Sequence, residues 1–158
     1  YVRNGLFVRL KRNLYTMSEK WNNYSNNDYY KVSNILQVPS YVSLITALSF
    51  YELTTQIHRN VYENISLKRS ANINVKGVQF NYYKIARNYY SDFVQKDGIF
   101  IASKEKAFLD AVYLYSFGKY AFDIDSIDVR KINKTIIKNI IKKYPEKTEK
   151  IMRKLCKI

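Results

Sequence analysis

The chain has 158 residues, 47% hydrophobic and 25% charged, ordinary values for one globular domain with a packed core and an appendage. Its 27 lysines and arginines outnumber 13 acids, and the net charge of +14 favours an anionic partner, most commonly nucleic acid. A single cysteine, Cys156, and a single histidine, His58, rule out an internal disulfide and a Cys/His zinc site. No apolar run reaches the length of a membrane span and no secretory signal is visible, so a cytoplasmic home with no membrane and no cofactor is expected.

The first seventeen residues read as a β-hairpin with a basic tip. Leu6, Val8 and Leu10 share one face and Phe7, Arg9 and Lys11 the other, the period-2 pattern of a half-buried strand. Lys11, Arg12 and Asn13 make the turn, Asn13 tolerating left-handed backbone, and residues 14–17 return as a second strand. A basic hairpin of this kind matches the wing of a winged helix-turn-helix; an ordinary edge hairpin with a charged tip is the plainer alternative. Tyr1 rather than Met opens the chain, so a preceding segment carrying the rest of the winged helix is expected.

A polar stretch, residues 18–28 around Trp21, reads as a connection to the body. Asp28 can cap a short helix through about Leu36, with Tyr29, Val32, Ile35 and Leu36 on its apolar side, and Pro39 closes it. Residues 42–53 read as a stronger helix, capped by Ser43, with Leu44, Ala47, Leu48 and Tyr51 recurring at three and four. A β-rich middle follows: an alternating strand over 61–67 ended by Lys68 and Arg69, a strand after Gly77 within 75–85, and a nearly all-apolar, central strand over 98–102. Ser103 caps a helix to about Phe117 whose buried stripe is Ala107, Phe108, Ala111, Val112 and Tyr115, with Gly118 as its stop. Beyond Asp123, Asp125 and Asp128 lie two basic amphipathic helices separated by Pro145, the first with Ile132, Ile136, Ile137, Ile140 and Ile141 on one face.

The positive charge is uneven along this order. Residues 1–12 hold Arg3, Arg9, Lys11 and Arg12 without an acid, residues 13–128 net only +1, and residues 129–158 net +9. Abundant Asn, Lys, Ile and Tyr beside scarce Gly and Pro fit an AT-rich genome, but a uniform bias does not confine the surplus to the two ends.

Three stretches resemble the AbiEi antitoxins of bacterial type IV (abortive infection) toxin–antitoxin systems. They are Gly5-Leu-Phe-Val-Arg-Leu-Lys-Arg-Asn-Leu-Tyr15, then Pro39-Ser-Tyr-Val-Ser-Leu-Ile-Thr-Ala-Leu-Ser49 followed by Tyr51 and Leu53, then Ile101-Ala-Ser-Lys-Glu-Lys-Ala-Phe-Leu-Asp110 followed by Leu114 and Tyr115. Asn13 stands where the family usually has Gly, and Lys104 where it usually has Pro; both substitutes suit the local geometry. The resemblance implies an α+β protein: a wing remnant of a winged helix-turn-helix over residues 1–17, a connecting segment with a short helix over 18–38, and a mixed α/β antitoxin-type domain over 39–158 ending in basic helices. It implies a non-enzymatic role: repression of the operon's own promoter DNA through the complete winged helix, and opposition to a nucleotidyltransferase-like toxin without a stable complex. The wing's DNA contacts then fall to Arg9, Lys11 and Arg12, cationic side chains suited to phosphates or a minor groove.

Other residues carry weaker signals, each with a plain alternative. Lys68 and Arg69 could meet phosphates or end a strand in solvent; Lys138 and Lys142 could face nucleic acid or line the wet side of a helix. Ser103 and Lys104 open a helix whose N–H groups could hold an anion, although Ser103 as cap and Glu105 near the positive helix end need no ligand. Glu105 and Asp110, five apart, do not share a face well enough for a carboxylate pair, and His58 has no partner for catalysis. Tyrosine pairs such as Tyr29–Tyr30, Tyr82–Tyr83 and Tyr89–Tyr90 invite base stacking, but one of each pair is expected to pack inward. The rival functions are a plain nucleic-acid-binding module and a metal-dependent nuclease, the latter resting on Asp123, Asp125 and Asp128, which read better as helix caps.

Overall fold

A computed structural model describes residue 2 and residues 4–158, so Arg3 of the basic N-terminal cluster lies outside the described residues. Strands β1 (Phe7–Lys11) and β2 (Leu14–Met17) pair antiparallel in their own two-stranded sheet. Asn13 turns the hairpin with φ of 63°, the left-handed geometry expected of it, and the register shifts between Arg9 and Lys11. Val8 and Leu10 are buried where β1 rests on a helix and a strand of the body. Leu6 is not buried with them: it precedes the strand and is 55% exposed.

The stretch expected to be a polar connection contains a helix, α1 (Ser18–Asn22), because Trp21 is a core residue. Its indole meets Tyr29 edge-on at 5.0 Å, within a cluster that includes Phe80. Helix α2 (Asn26–Leu36) is capped by Ser25 rather than Asp28. Asp28 completes a capping box, its carboxylate accepting from the Ser25 N–H at 2.9 Å, and this hydrogen bond holds the carboxyl below its ordinary value. Ser25→Ala is expected to cost about 1 kcal/mol, measurable as an earlier urea midpoint with an unchanged slope. On α2, Tyr30, Val32, Ser33 and Leu36 turn inward and Ile35 outward, a departure from the expected stripe.

The body is a six-stranded mixed sheet in the order β5-β6-β4-β3-β8-β7. Its strands are β3 (Ser40–Val42), β4 (Val61–Ser66), β5 (Ala71–Val75), β6 (Val78–Lys84), β7 (Phe93–Lys96) and β8 (Ile99–Ala102). β4–β6 and β3–β8 are parallel and the other pairs antiparallel. Ser40 Oγ donates to the Ser33 carbonyl of α2, whereas the adjacent Tyr41 OH donates to Asp110 of α4 (Lys104–Ser116). Neighbouring strand residues point to opposite faces, so α2 and α4 cover the two sides of the sheet. β4, in the middle of that sandwich, is buried almost throughout instead of alternating.

The helix expected over 42–53 is shorter: β3 takes its first residues and α3 (Leu44–Phe50) follows, packed on α4. Ser43 does not cap it, because its hydroxyl donates to Asp110. Ser103 does cap α4, accepting from Lys106 N–H. α4 is buried on most sides, and Tyr115, placed in its inner stripe by the periodicity, is 42% exposed. Gly118, with φ of 69°, ends α4 in a Schellman turn in which Lys119 N–H bonds to the Leu114 carbonyl at 2.9 Å. The final helices α5 (Lys134–Ile140) and α6 (Glu146–Cys156) pack on α4 through Ile137, Met152 and neighbours, while Ile136 faces solvent. The protein is α+β, a hairpin sheet beside a larger mixed sheet, and among the described residues no helix is long and apolar enough to cross a membrane.

Candidate functional site

At the hairpin tip Arg9 and Arg12 are exposed, and among the described residues neither is in an ion pair. Lys11 differs from the expectation of three equivalent cations. Its Nζ donates to the Ile35 carbonyl at 2.7 Å, the last turn of α2, where a cation also answers the helix dipole. Lys68 is exposed at the end of β4. Arg69 is anchored: its carbonyl accepts from Gln37 Nε2 at 2.6 Å and from Ser66 Oγ, and its Nε donates to Gln37 Oε1. Ser103 is occupied as a cap, Lys104 is half-buried, and Lys138 and Lys142 are exposed on α5 and the turn after it. Among the described residues no hydrogen bond or ion pair joins the hairpin tip, Lys68–Arg69 and the α5 lysines into one site.

A different set of residues converges. Lys106 and Asp110, one turn apart on α4, are both 0% exposed and meet at 2.6 Å. The Lys106 ammonium places its other two protons on the Tyr89 carbonyl and the Tyr144 hydroxyl, each at 2.6 Å. Asp110 Oδ2 accepts from Tyr41 OH at 2.9 Å and Ser43 Oγ at 2.7 Å. All three lysine donors and both carboxylate oxygens are thus satisfied, the condition under which a charge pair survives burial. Burial pushes the Asp110 carboxyl above its ordinary range, opposed by Lys106 first and then the two hydroxyls. The i,i+4 spacing of Lys106 and Asp110 was readable as an ion pair, whereas the sequence reading weighed Asp110 against Glu105. Those two acids do stay apart: Glu105, in the first turn of α4 as expected, is also buried and accepts from Asn133 N–H at the start of α5.

A third buried acid, Glu63 of β4, receives the start of α3. Its carbonyl accepts from Ser43 N–H, its own N–H donates to Thr46 Oγ1, and Leu44 bends the chain between them with φ of 58°. The Glu63 carboxyl accepts from Tyr120 OH at 2.7 Å and lies 3.7 Å from His58 Nδ1. Burial pushes it up to about 7, although the bonds from Tyr120 and the Ile45 and Thr46 backbone pull the other way. Burial and the Glu63 carboxyl raise the Tyr120 hydroxyl in turn. His58, expected to be a surface or capping residue, is half-buried and also touches Gln56 Nε2 at 3.1 Å.

The acidic loop behaves as caps. Asp123 accepts from Asp125 N–H and Asp128 from Arg130 N–H, each opening a 3₁₀ turn (Ile124–Ser126 and Val129–Lys131). The Arg130 side chain pairs with Asp128 at 2.9 Å and holds its carboxyl below the ordinary value. Among the described residues no group of three or more acids, His or Cys is placed to hold a metal ion. Of the tyrosine pairs, Tyr30 and Tyr82 turn inward while Tyr29 and Tyr83 stay half-buried, and Tyr89 and Tyr90 are both half-buried. No family model, no curated protein and no solved structure matches the chain.

Proposed function

We propose that this protein is the antitoxin of a type IV toxin–antitoxin pair, without enzymatic activity of its own, working in the cytoplasm against a nucleotidyltransferase-like toxin and without a stable complex with it. Where a complete winged helix precedes the hairpin, the protein also represses its promoter, with Arg9 and Arg12 reaching DNA phosphates. The observation that carries the reading is the meeting of two of the stretches on which the resemblance rests. Tyr41 and Ser43 of one and Lys106 and Asp110 of the other, more than sixty residues apart, close a single buried network, and Val42 pairs with Ile101 beside it. Residues that share a structural task recur together, whereas chance similarities have no reason to touch. Two of the three carboxylates of the nuclease alternative, Asp123 and Asp128, cap 3₁₀ turns, and among the described residues no group of three acids is placed to hold a metal ion.

Co-expression of this chain with the nucleotidyltransferase-type toxin of the same operon, scored by growth, tests the proposal. Growth is expected to recover. Continued arrest with both this chain and a version carrying the whole winged helix, together with no binding of promoter DNA, would remove the antitoxin reading.

A further inference from the structure

A basic hollow lies at the C-terminal end of α4, remote in sequence from both basic termini. It has two adjoining chambers of roughly 600 and 580 Å³, sharing Lys84 and Lys119 in their walls, and each is within the size range of ligand sites. Arg87 adds a third cation to the first chamber. All three are exposed, none is in an ion pair among the described residues, and no acid lines either chamber. Between the cations stand aromatic rings. Tyr113 and Phe117 line one chamber and Tyr83 the other. Phe117 is 45% exposed, with Tyr113 against it at 5.4 Å and Lys147 Nζ 5.6 Å from its ring centre.

We propose that this hollow binds single-stranded nucleic acid. Unpaired cations supply the phosphate contacts, and half-exposed rings between them supply stacking faces for unpaired bases. A duplex has already stacked its bases and could use only the charge. A flat anionic membrane would not enter a concave hollow, and an acidic peptide would have no use for the rings. The carbonyl end of α4 would repel a phosphate if left open. The Schellman turn satisfies the Leu114 and Tyr115 carbonyls, and Lys119, a cation, stands on that turn. The inference does not depend on the antitoxin reading, which concerns a toxin and duplex promoter DNA.

The test is fluorescence anisotropy of the intact 158-residue chain with labelled oligo-U and oligo-dT of a dozen or so nucleotides across a salt series. The combined variant Lys84→Ala/Arg87→Ala/Lys119→Ala is expected to bind at least tenfold more weakly and to flatten the log K against log salt slope by about 2, the release of three phosphate contacts on a single strand. Phe117→Ala is expected to lose roughly tenfold while keeping the salt slope. Lys138→Ala/Lys142→Ala, on the rival basic surface, is expected to weaken binding far less than the triple variant. All substituted side chains are exposed, and circular dichroism verifies that each variant is folded. Preference between the two oligonucleotides would tell RNA from DNA. Equal competition by polyglutamate or by duplex, or a loss produced by the Lys138/Lys142 variant instead, would overturn the proposal. Loss of binding here with toxin rescue intact would separate this site from antitoxin function.

Discussion

Lys106→Met is expected to destabilise the fold by about 3–5 kcal/mol at pH 7, the range for removing one partner of a buried ion pair. The substitution keeps much of the side-chain length but leaves Asp110 fully buried with only Tyr41 and Ser43 as donors. It also strips the Tyr89 carbonyl and the Tyr144 hydroxyl of a donor. Lys106 is the strongest influence holding the Asp110 carboxyl down against burial, so its removal sends that carboxyl further above 3.8. A folded-state acid raised in this way favours the fold below its unfolded value and loses that advantage as pH climbs through the folded value. The deficit should therefore be larger at pH 8 than at pH 5. In Lys106→Met/Asp110→Leu the buried charge is gone, and the cost should be smaller than the sum of the single losses, though Tyr41 and Ser43 then lack an acceptor. Urea titrations of Lys106→Met, Asp110→Leu and the double variant at the two pH values measure all of this. A single-variant loss below 1 kcal/mol, or additive losses in the double variant, would show that the pair does not hold α4 against β3.

How much of this centre could be read from the sequence follows from how far each signal reaches. The hairpin was legible because Val8, Leu10 and Asn13 act within a few residues, and so was the cap of α4 at Ser103. Strands β5 and β7 were not. Asn72 and Asn74 alternate with apolar residues but have poor strand propensity, and β7 is mostly exposed at a sheet edge. A usable cue existed in Lys76-Gly77 and Asp97-Gly98, both at positive φ, the two-residue turns that join β5 to β6 and β7 to β8. The helix start at Val42 failed for another reason: Val42 fits a helical apolar pattern locally, and only its pairing with β4 and β8 makes it a strand residue. Two partners of Asp110, Tyr41 in β3 and Ser43 just after it, lie more than sixty residues away, and no local pattern reports them.

Glu63 predicts an opposite kind of variant, one that stabilises. Its carboxyl is 3% exposed and titrates near 7 in the folded chain against 4.5 in an unfolded one. Between those values the folded chain keeps a proton that the unfolded chain has released, so stability falls as pH rises, by up to about 1.4 kcal/mol per pH unit. This group alone should lower stability by about 2–3 kcal/mol between pH 5 and pH 8. Tyr120 OH donates to the carboxyl, the Ile45 and Thr46 N–H groups approach from α3, Tyr83 lies on the neighbouring strand, and His58 Nδ1 stands 3.7 Å away. A Gln side chain keeps an oxygen for the Tyr120 and backbone donors, and its amide can face His58. Glu63→Gln is therefore expected to match the native chain near pH 5 and to exceed it by about 2–3 kcal/mol at pH 8. Thermal melts of both proteins from pH 5 to 8 read the difference directly. Parallel curves would mean that Glu63 is ionised throughout and that the α3 N–H groups and Tyr120 overcome its burial. Converging curves toward low pH would identify the start of α3, where Leu44 is bent into left-handed backbone, as the part of the fold that alkaline conditions loosen first.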